Sequence, residues 1–285
     1  MKLNDIYLRD PYVYVEDGVC YLIGTSDIQA WGGKASGFLG YKSSDLQNFE
    51  GPFALFENTP SFWADENFWA PELHKIGDRY CLFASFYKSG LHRASQVLFS
   101  DAPFGKYKPS DKPFTPKDWD CLDATYYEED GRRYAIFVHE WTEVGDGEIC
   151  LGELGQDFAS LNNLRTLFRA SFAPWVSLHK EKGHAGYVSD GPFIHKGKQG
   201  TLFMLWSSFG KSGYALGVAR SHHGVNGPWI QENEPLVSEG GHGMIFSFGG
   251  ELYLIVHTNN DDHPNERPCL MKVEENEDGL FLKEE

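Results

Sequence analysis

A short unit, Arg9-Asp10-Pro11-Tyr12-Val13-Tyr14, is followed by the turn pair Asp17-Gly18 and by a new apolar run opening at Tyr21. Counted from Asp10, the turn lies seven and eight residues on and the new run eleven. The same offsets lead from Asp123 to Asp130, Gly131 and Tyr134, from His242 to Gly249, Gly250 and Tyr253, and from Ala70 to Gly77, Asp78 and Cys81. A further copy is read from Asp190, with Gly197 seven residues on and a longer turn to Gly200 before Leu202-Phe203-Met204-Leu205-Trp206. Each copy is a strand, a turn rich in Gly and Asp, and a second apolar strand, which is the pattern of a hairpin. The five starts lie on average roughly 58 residues apart, the length a four-stranded propeller blade needs. The repeats therefore predict an all-β chain folded as a five-bladed β-propeller, with a sandwich or jelly roll as the alternative.

In a propeller the first strand of each blade lines the central channel, so equivalent residues of different blades converge on the axis. Here that set is Asp10, Ala70, Asp123, Asp190 and His242. Three carboxylates and a histidine around one opening repel and perturb one another's protonation, a cost that points to chemistry. Strand alternation puts Glu72 on the same side as Ala70, in a structural or a catalytic role. Val138-His139-Glu140-Trp141 ends a strand with an ionisable pair, which makes Glu140 a second candidate acid and Trp141 a candidate sugar contact, with His139 read as a satisfied core histidine. Trp69, just before its strand, is placed where a substrate would enter, and Arg267 in the last blade is a candidate to bind a ring hydroxyl. Glycines flank His242, so the backbone there can approach water, a cation or another blade.

Composition narrows the partners. With 285 residues, of which 41% are hydrophobic and 15% aromatic, the chain reads as one domain spanning 1–285. A formal charge of −16 excludes nucleic acid and anionic membranes, which need basic faces. Eight Trp and fourteen Tyr suit the stacking of sugar rings, so an oligosaccharide or polysaccharide is the expected partner. Three of the five Cys, Cys20, Cys81 and Cys150, lie in apolar strands as small hydrophobes, and no pair has metal-ligand spacing. The first residues, Met1-Lys2-Leu3-Asn4-Asp5, carry no apolar leader, which gives the expectation of a cytoplasmic protein unless a leader has been removed. No motif of a serine hydrolase elbow, a zincin helix or a phosphate loop occurs.

The motifs Arg9-Asp10-Pro11, Trp69-Ala70-Pro71-Glu72, Leu122-Asp123-Ala124, Ser189-Asp190-Gly191-Pro192 and Gly241-His242-Gly243 span the chain in order, and in this combination it resembles glycoside hydrolase family 43. That resemblance implies an inverting five-bladed propeller acting on arabinofuranosides, xylosides or galactosides. It implies Asp10 as general base, Asp123 as the group that orients the acid and tunes it while remaining ionised, and the residue before Gly191-Pro192 as general acid. It further implies that no cofactor is required for the chemistry, and that His242 sits where many members hold a structural Ca²⁺ or a water. One departure stands out, because the family's acid is usually Glu and this chain has Asp190. The shorter side chain withdraws the carboxyl by about 1.5 Å. Either the backbone compensates, or Glu140 supplies the proton, or the site binds sugar without cleaving it. The Asp-Gly-Pro form tilts the expected substrate toward α-L-arabinofuranosides attacked from the chain end, with β-xylosidase, galactosidase, a retaining fructosidase-like enzyme or a non-catalytic sugar-binding propeller as alternatives.

Overall fold

The computed structural model describes residues 1–276 and 279–283. Its strands form five four-stranded antiparallel sheets, each made of strands consecutive in the chain. Blade one holds β1 (Arg9–Glu16), β2 (Val19–Thr25), β3 (Gly37–Ser43) and β4 (Glu50–Glu57). Blade two holds β5 (Glu66–Ile76), β6 (Arg79–Tyr87), β7 (Ala94–Ser100) and β8 (Lys108–Pro109). Blade three holds β9 (Cys121–Glu129), β10 (Arg132–His139), β11 (Glu148–Leu154) and β12 (Leu161–Arg169), with a one-turn helix α1 (Trp141–Val144) leaving the end of β10. A separate hairpin of β13 (His179–Glu181) and β14 (His184–Gly186) precedes blade four, which holds β15 (Asp190–Lys196), β16 (Leu202–Gly210), β17 (Gly213–Ser221) and β18 (Ile230–Gln231). Blade five holds β19 (Gly241–Phe248), β20 (Glu251–Thr258), β21 (Arg267–Asn276) and β22 (Gly279–Leu282).

Residue type explains the layering. The second strand of a blade is covered on both faces by its neighbours, so it reads as an unbroken apolar run, as in Ala135-Ile136-Phe137-Val138, all fully buried. The fourth strand is an edge, and β12 accordingly carries Asn162, Asn163 and Arg165 on an exposed surface. Blades one and two are held together by Phe38 packed on Phe68 and Phe86, and Phe56 on Phe68, with ring centroids between 4.9 and 6.0 Å across the set that includes Phe68 and Phe86. The ring closes by packing. Leu8 and Val13 of the first blade share one core with Met244, Phe246 and Ile255 of the last, and the Asn4 carbonyl accepts the Arg267 Nε–H at 3.2 Å.

At the start of each blade the first strand carries a bulge, two residues facing one. Arg9 pairs with Thr25 and the next pair is Tyr12 with Ile23; the same shift recurs after Trp69, Leu122, Asp190 and Gly241. The bulge opens on Asp10, Ala70, Asp123, Gly191 and His242, whose φ values are 50°, 43°, 54°, 48° and 46°. Four of these are non-glycine residues in the left-handed region, a conformation that costs energy and clusters at working sites. The fourth copy is thus corrected by one residue, since Gly191 and not Asp190 is the equivalent of Asp10. The longer turn before Leu202 concealed the shift, and Asp190 takes the place that Arg9 and Trp69 hold in their blades.

Candidate active site

The bulges also decide what the channel mouth contains. On a regular strand Arg9 and Asp10 would face opposite ways, but the left-handed residue turns the chain so that both line one cavity of about 920 Å³. The same cavity is lined by Asp123, Asp190, Glu140 and His242, so the carboxylates read as convergent from the repeat do meet. His242 Nδ1 lies 3.2 Å from Asp10 Oδ1 and 3.8 Å from Asp123 Oδ2, while Asp123 Oδ2 also accepts the Gly191 N–H at 3.1 Å.

Their environments drive the acids apart in protonation. Burial alone would raise Asp10, yet His242, Arg9, His257 and the Thr25 hydroxyl outweigh it and hold its pKa at about 2. The Thr25 bond is short, Oγ1 donating to Asp10 Oδ2 at 2.6 Å. Asp190 is pushed well above the ordinary carboxylate range by burial, then by Asp123 and Glu140, against smaller opposing effects of His242 and the Tyr214 hydroxyl. Asp123 is likewise raised, first by burial and then by Asp10, against the smaller opposing effects of the Gly191 N–H and Arg93. Glu140 is raised by burial, partly offset by Arg93, whose Nε stands 3.9 Å from Glu140 Oε2.

Several neighbours complete the site. Tyr214 donates its hydroxyl to Asp190 Oδ2 at 3.1 Å and stacks on His257. His257 accepts the Asp10 N–H on Nδ1 at 3.1 Å, so Nε2 carries the hydrogen that faces Asn260 Oδ1 at 3.1 Å. Arg9 is fixed by Glu266, which is wholly buried, at 2.6 Å, and lies over the Trp31 ring at 4.5 Å. The Arg93 guanidinium lies over Trp69, 4.0 Å from the ring centre, with Nε and Nη1 buried and without hydrogen-bond partners among the described residues.

The remaining expected site residues divide. Trp69 lines the cavity, with Nε1 tied to the Ala30 carbonyl at 2.7 Å and the Trp31 ring set edge-on against it. Trp141 touches the cavity but is buried, and its rings of contact are His179 and His184 of the hairpin, so it anchors that hairpin more than it presents a platform. Arg267 is a correction. Its guanidinium bonds the carbonyls of Asn4, Pro264 and Glu266 at the outside of blade five and does not line the cavity, because a residue at the start of β21 lies in the third strand, away from the axis. His139 is a structural residue, stacked on Trp119 and bonded between Glu143 and Glu148. Glu72 is buried against His74 at 3.0 Å and does not line the cavity.

Calcium asks for six to eight oxygen ligands. Around His242 the side chains offer a ring nitrogen at hydrogen-bond distance from Asp10 and two carboxylates already engaged by Thr25 and Gly191, a donor set that does not fit a cage built by the protein. Among the described residues, His92, Asp120 and Glu143 at the rim have ligand atoms within 4.8 Å of one another, but Asp120 accepts the Arg93 N–H and Glu143 accepts the Asp120 N–H.

A carboxyl whose pKa is held low on one blade and carboxyls whose pKa is raised on others, around a cavity edged by aromatic rings, suit glycoside hydrolysis. The model of glycosyl hydrolases family 43 matches residues 5–281, and the chain belongs to that family, which makes it a glycoside hydrolase of the inverting type. The crystal structure of an endo-arabinase from Bacteroides thetaiotaomicron is 36% identical, with a TM-score of 0.89, covering 97% of this chain and 98% of its own. An endo-1,4-beta-xylanase from the same organism is 23% identical at a TM-score of 0.79, covering 99% and 96%, and shares the fold. An α-L-arabinanase from Cellvibrio cellulosa, solved with arabinohexaose, is 16% identical at 0.68, covering 98% and 96%. A comparison with curated protein sequences finds no match.

Proposed function

We propose that the chain hydrolyses α-L-arabinofuranosyl linkages of plant-type glycans with inversion, working from chain ends. Asp10 is the base: its carboxylate takes a proton from water, whose oxygen attacks the anomeric carbon. Asp190 is the acid: as the glycosidic C–O bond breaks, its proton passes to the leaving oxygen. Inversion needs about 6.5–9.5 Å between the two carboxyls to admit the water, and blades one and four are not neighbours in the ring. The divergence of Asp10 and Asp190 in protonation carries this assignment. Glu140, beside Arg93, shapes the acid's field and is not itself the donor. For the sugar, support comes from the arabinan description of the 36% identical structure.

Action from the end is favoured by the hairpin between blades three and four. Its tip residue Lys182 reaches over the Trp31 ring of blade one at 5.7 Å, so the two rims meet above the cavity. Internal cleavage is the second reading, favoured by the endo-arabinase description of the same neighbour. Aryl α-L-arabinofuranoside, β-D-xyloside and β-D-galactoside run side by side test the sugar, and no release from the first would remove the proposal. Linear arabinan separates the two modes, because monosaccharide from the outset means action at the end and a ladder of oligosaccharides means internal cleavage.

A further inference from the structure

The five bulges are linked in a ring, and one link is different. The N–H of Ala70 bonds Thr25 Oγ1 at 2.8 Å, that of Asp123 bonds Ser85 Oγ at 2.8 Å, that of His242 bonds Ser207 Oγ at 2.7 Å, and that of Asp10 bonds His257 Nδ1 at 3.1 Å. In each case the bulge of one blade donates to a side chain on the second strand of the blade before it. Thr25, Ser85, Ser207 and His257 occupy the same register position, opposite Arg9, Trp69, Asp190 and Gly241. In blade three that position, opposite Leu122, is Val138, fully buried and without a polar atom. The Gly191 N–H, which follows the acid in the chain, therefore has no acceptor there and bonds Asp123 Oδ2 at 3.1 Å.

We propose that Val138 is a positioning residue for the reaction: by withholding the acceptor found in the other blades, it ties the peptide of the acid Asp190 directly to the Asp123 carboxylate. The assignment rests on the reading of Asp190 as the acid. Val138 also withholds from Asp123 a side-chain hydrogen bond that its counterpart Asp10 receives. Thr25 both accepts the N–H of the next blade and donates to Asp10, whereas Val138 does neither for Asp123.

The isosteric V138T supplies a hydroxyl where the other blades have one, and V138A alters packing without supplying it. In the wild type and in V138A the Gly191 amide proton shift should follow pH as a carboxylate-bound N–H does. In V138T it should lose that dependence. On aryl α-L-arabinofuranoside, V138T should lose about tenfold to a hundredfold in kcat, the scale of an ångström-level misplacement, with KM changed by less than about threefold. A Gly191 amide that behaves alike in V138T and wild type, or equal losses of kcat in V138T and V138A, would overturn the proposal. A wild-type chain with no glycosidase turnover would sink the reading of the site, and the amide shifts would still decide whether Val138 directs the Gly191 bond.

Discussion

At the scale of single residues the site works by contrast between like groups. Asp10→Asn should reduce kcat by at least about a hundredfold, the usual worth of a positioned base, while oligosaccharide binding measured by calorimetry is kept. Loss of binding in step with turnover would count against Asp10 as base. The alkaline limb of kcat/KM reports loss of the proton on Asp190, and its position is adjustable in two directions. The Tyr214 hydroxyl favours the ionised form of Asp190, so Tyr214→Phe should move the limb to higher pH. Glu140 disfavours it, so Glu140→Gln should move the limb to lower pH. Glu140→Gln abolishing turnover outright would instead make Glu140 the acid.

Among the elements, the hairpin of β13 and β14 and the packing between blades one and two have distinct jobs. The hairpin leans on Trp141, which meets His179 and His184, and a Cβ at Gly186 would come within 3.0 Å of the Trp141 ring. Trp141→Ala should loosen it, with trypsin cutting several-fold faster after the exposed Lys180 and Lys182 and KM rising more than kcat falls. Unchanged proteolysis would mean that the hairpin is held elsewhere. Phe86 is fully buried among Phe38, Phe56 and Phe68, so Phe86→Ala should cost about 3–5 kcal/mol in chemical unfolding. A cost below about 1 kcal/mol would show that the blade interface repacks.

For the molecule as a whole, pH couples the site to stability. His257 is held down to about 3, first by burial and then by Arg9, so the unfolded chain binds its proton while the folded chain does not. Stability from this group is complete above about 6.5 and is lost as pH falls toward 3. Asp10, depressed to about 2, adds a loss in the same direction below the ordinary Asp value. Asp123 and Asp190, raised by burial, act oppositely and cost stability as pH climbs past that value. The fall in Tm between pH 6.5 and 3 should therefore be shallower in His257→Asn than in the wild type, and an identical slope would remove His257 from the account.

The blade count and the convergence of Asp10, Asp123 and His242 were legible because hairpin turns recur at fixed offsets, and a repeat with a strand period forces equivalent residues to equivalent places. Even the linking positions leave a trace, since Thr25, Ser85 and His257 stand fifteen residues after Asp10, Ala70 and His242. What the chain alone did not disclose was which proton sits where. That depends on Tyr214 reaching Asp190, on Arg9 paired with Glu266, and on the Gly191 N–H falling to Asp123, contacts between residues far apart in sequence. Local pattern determines strands and turns through short-range sterics and alternation, but burial and Coulomb fields are set by whatever the other blades bring alongside. Only the closed ring decides them.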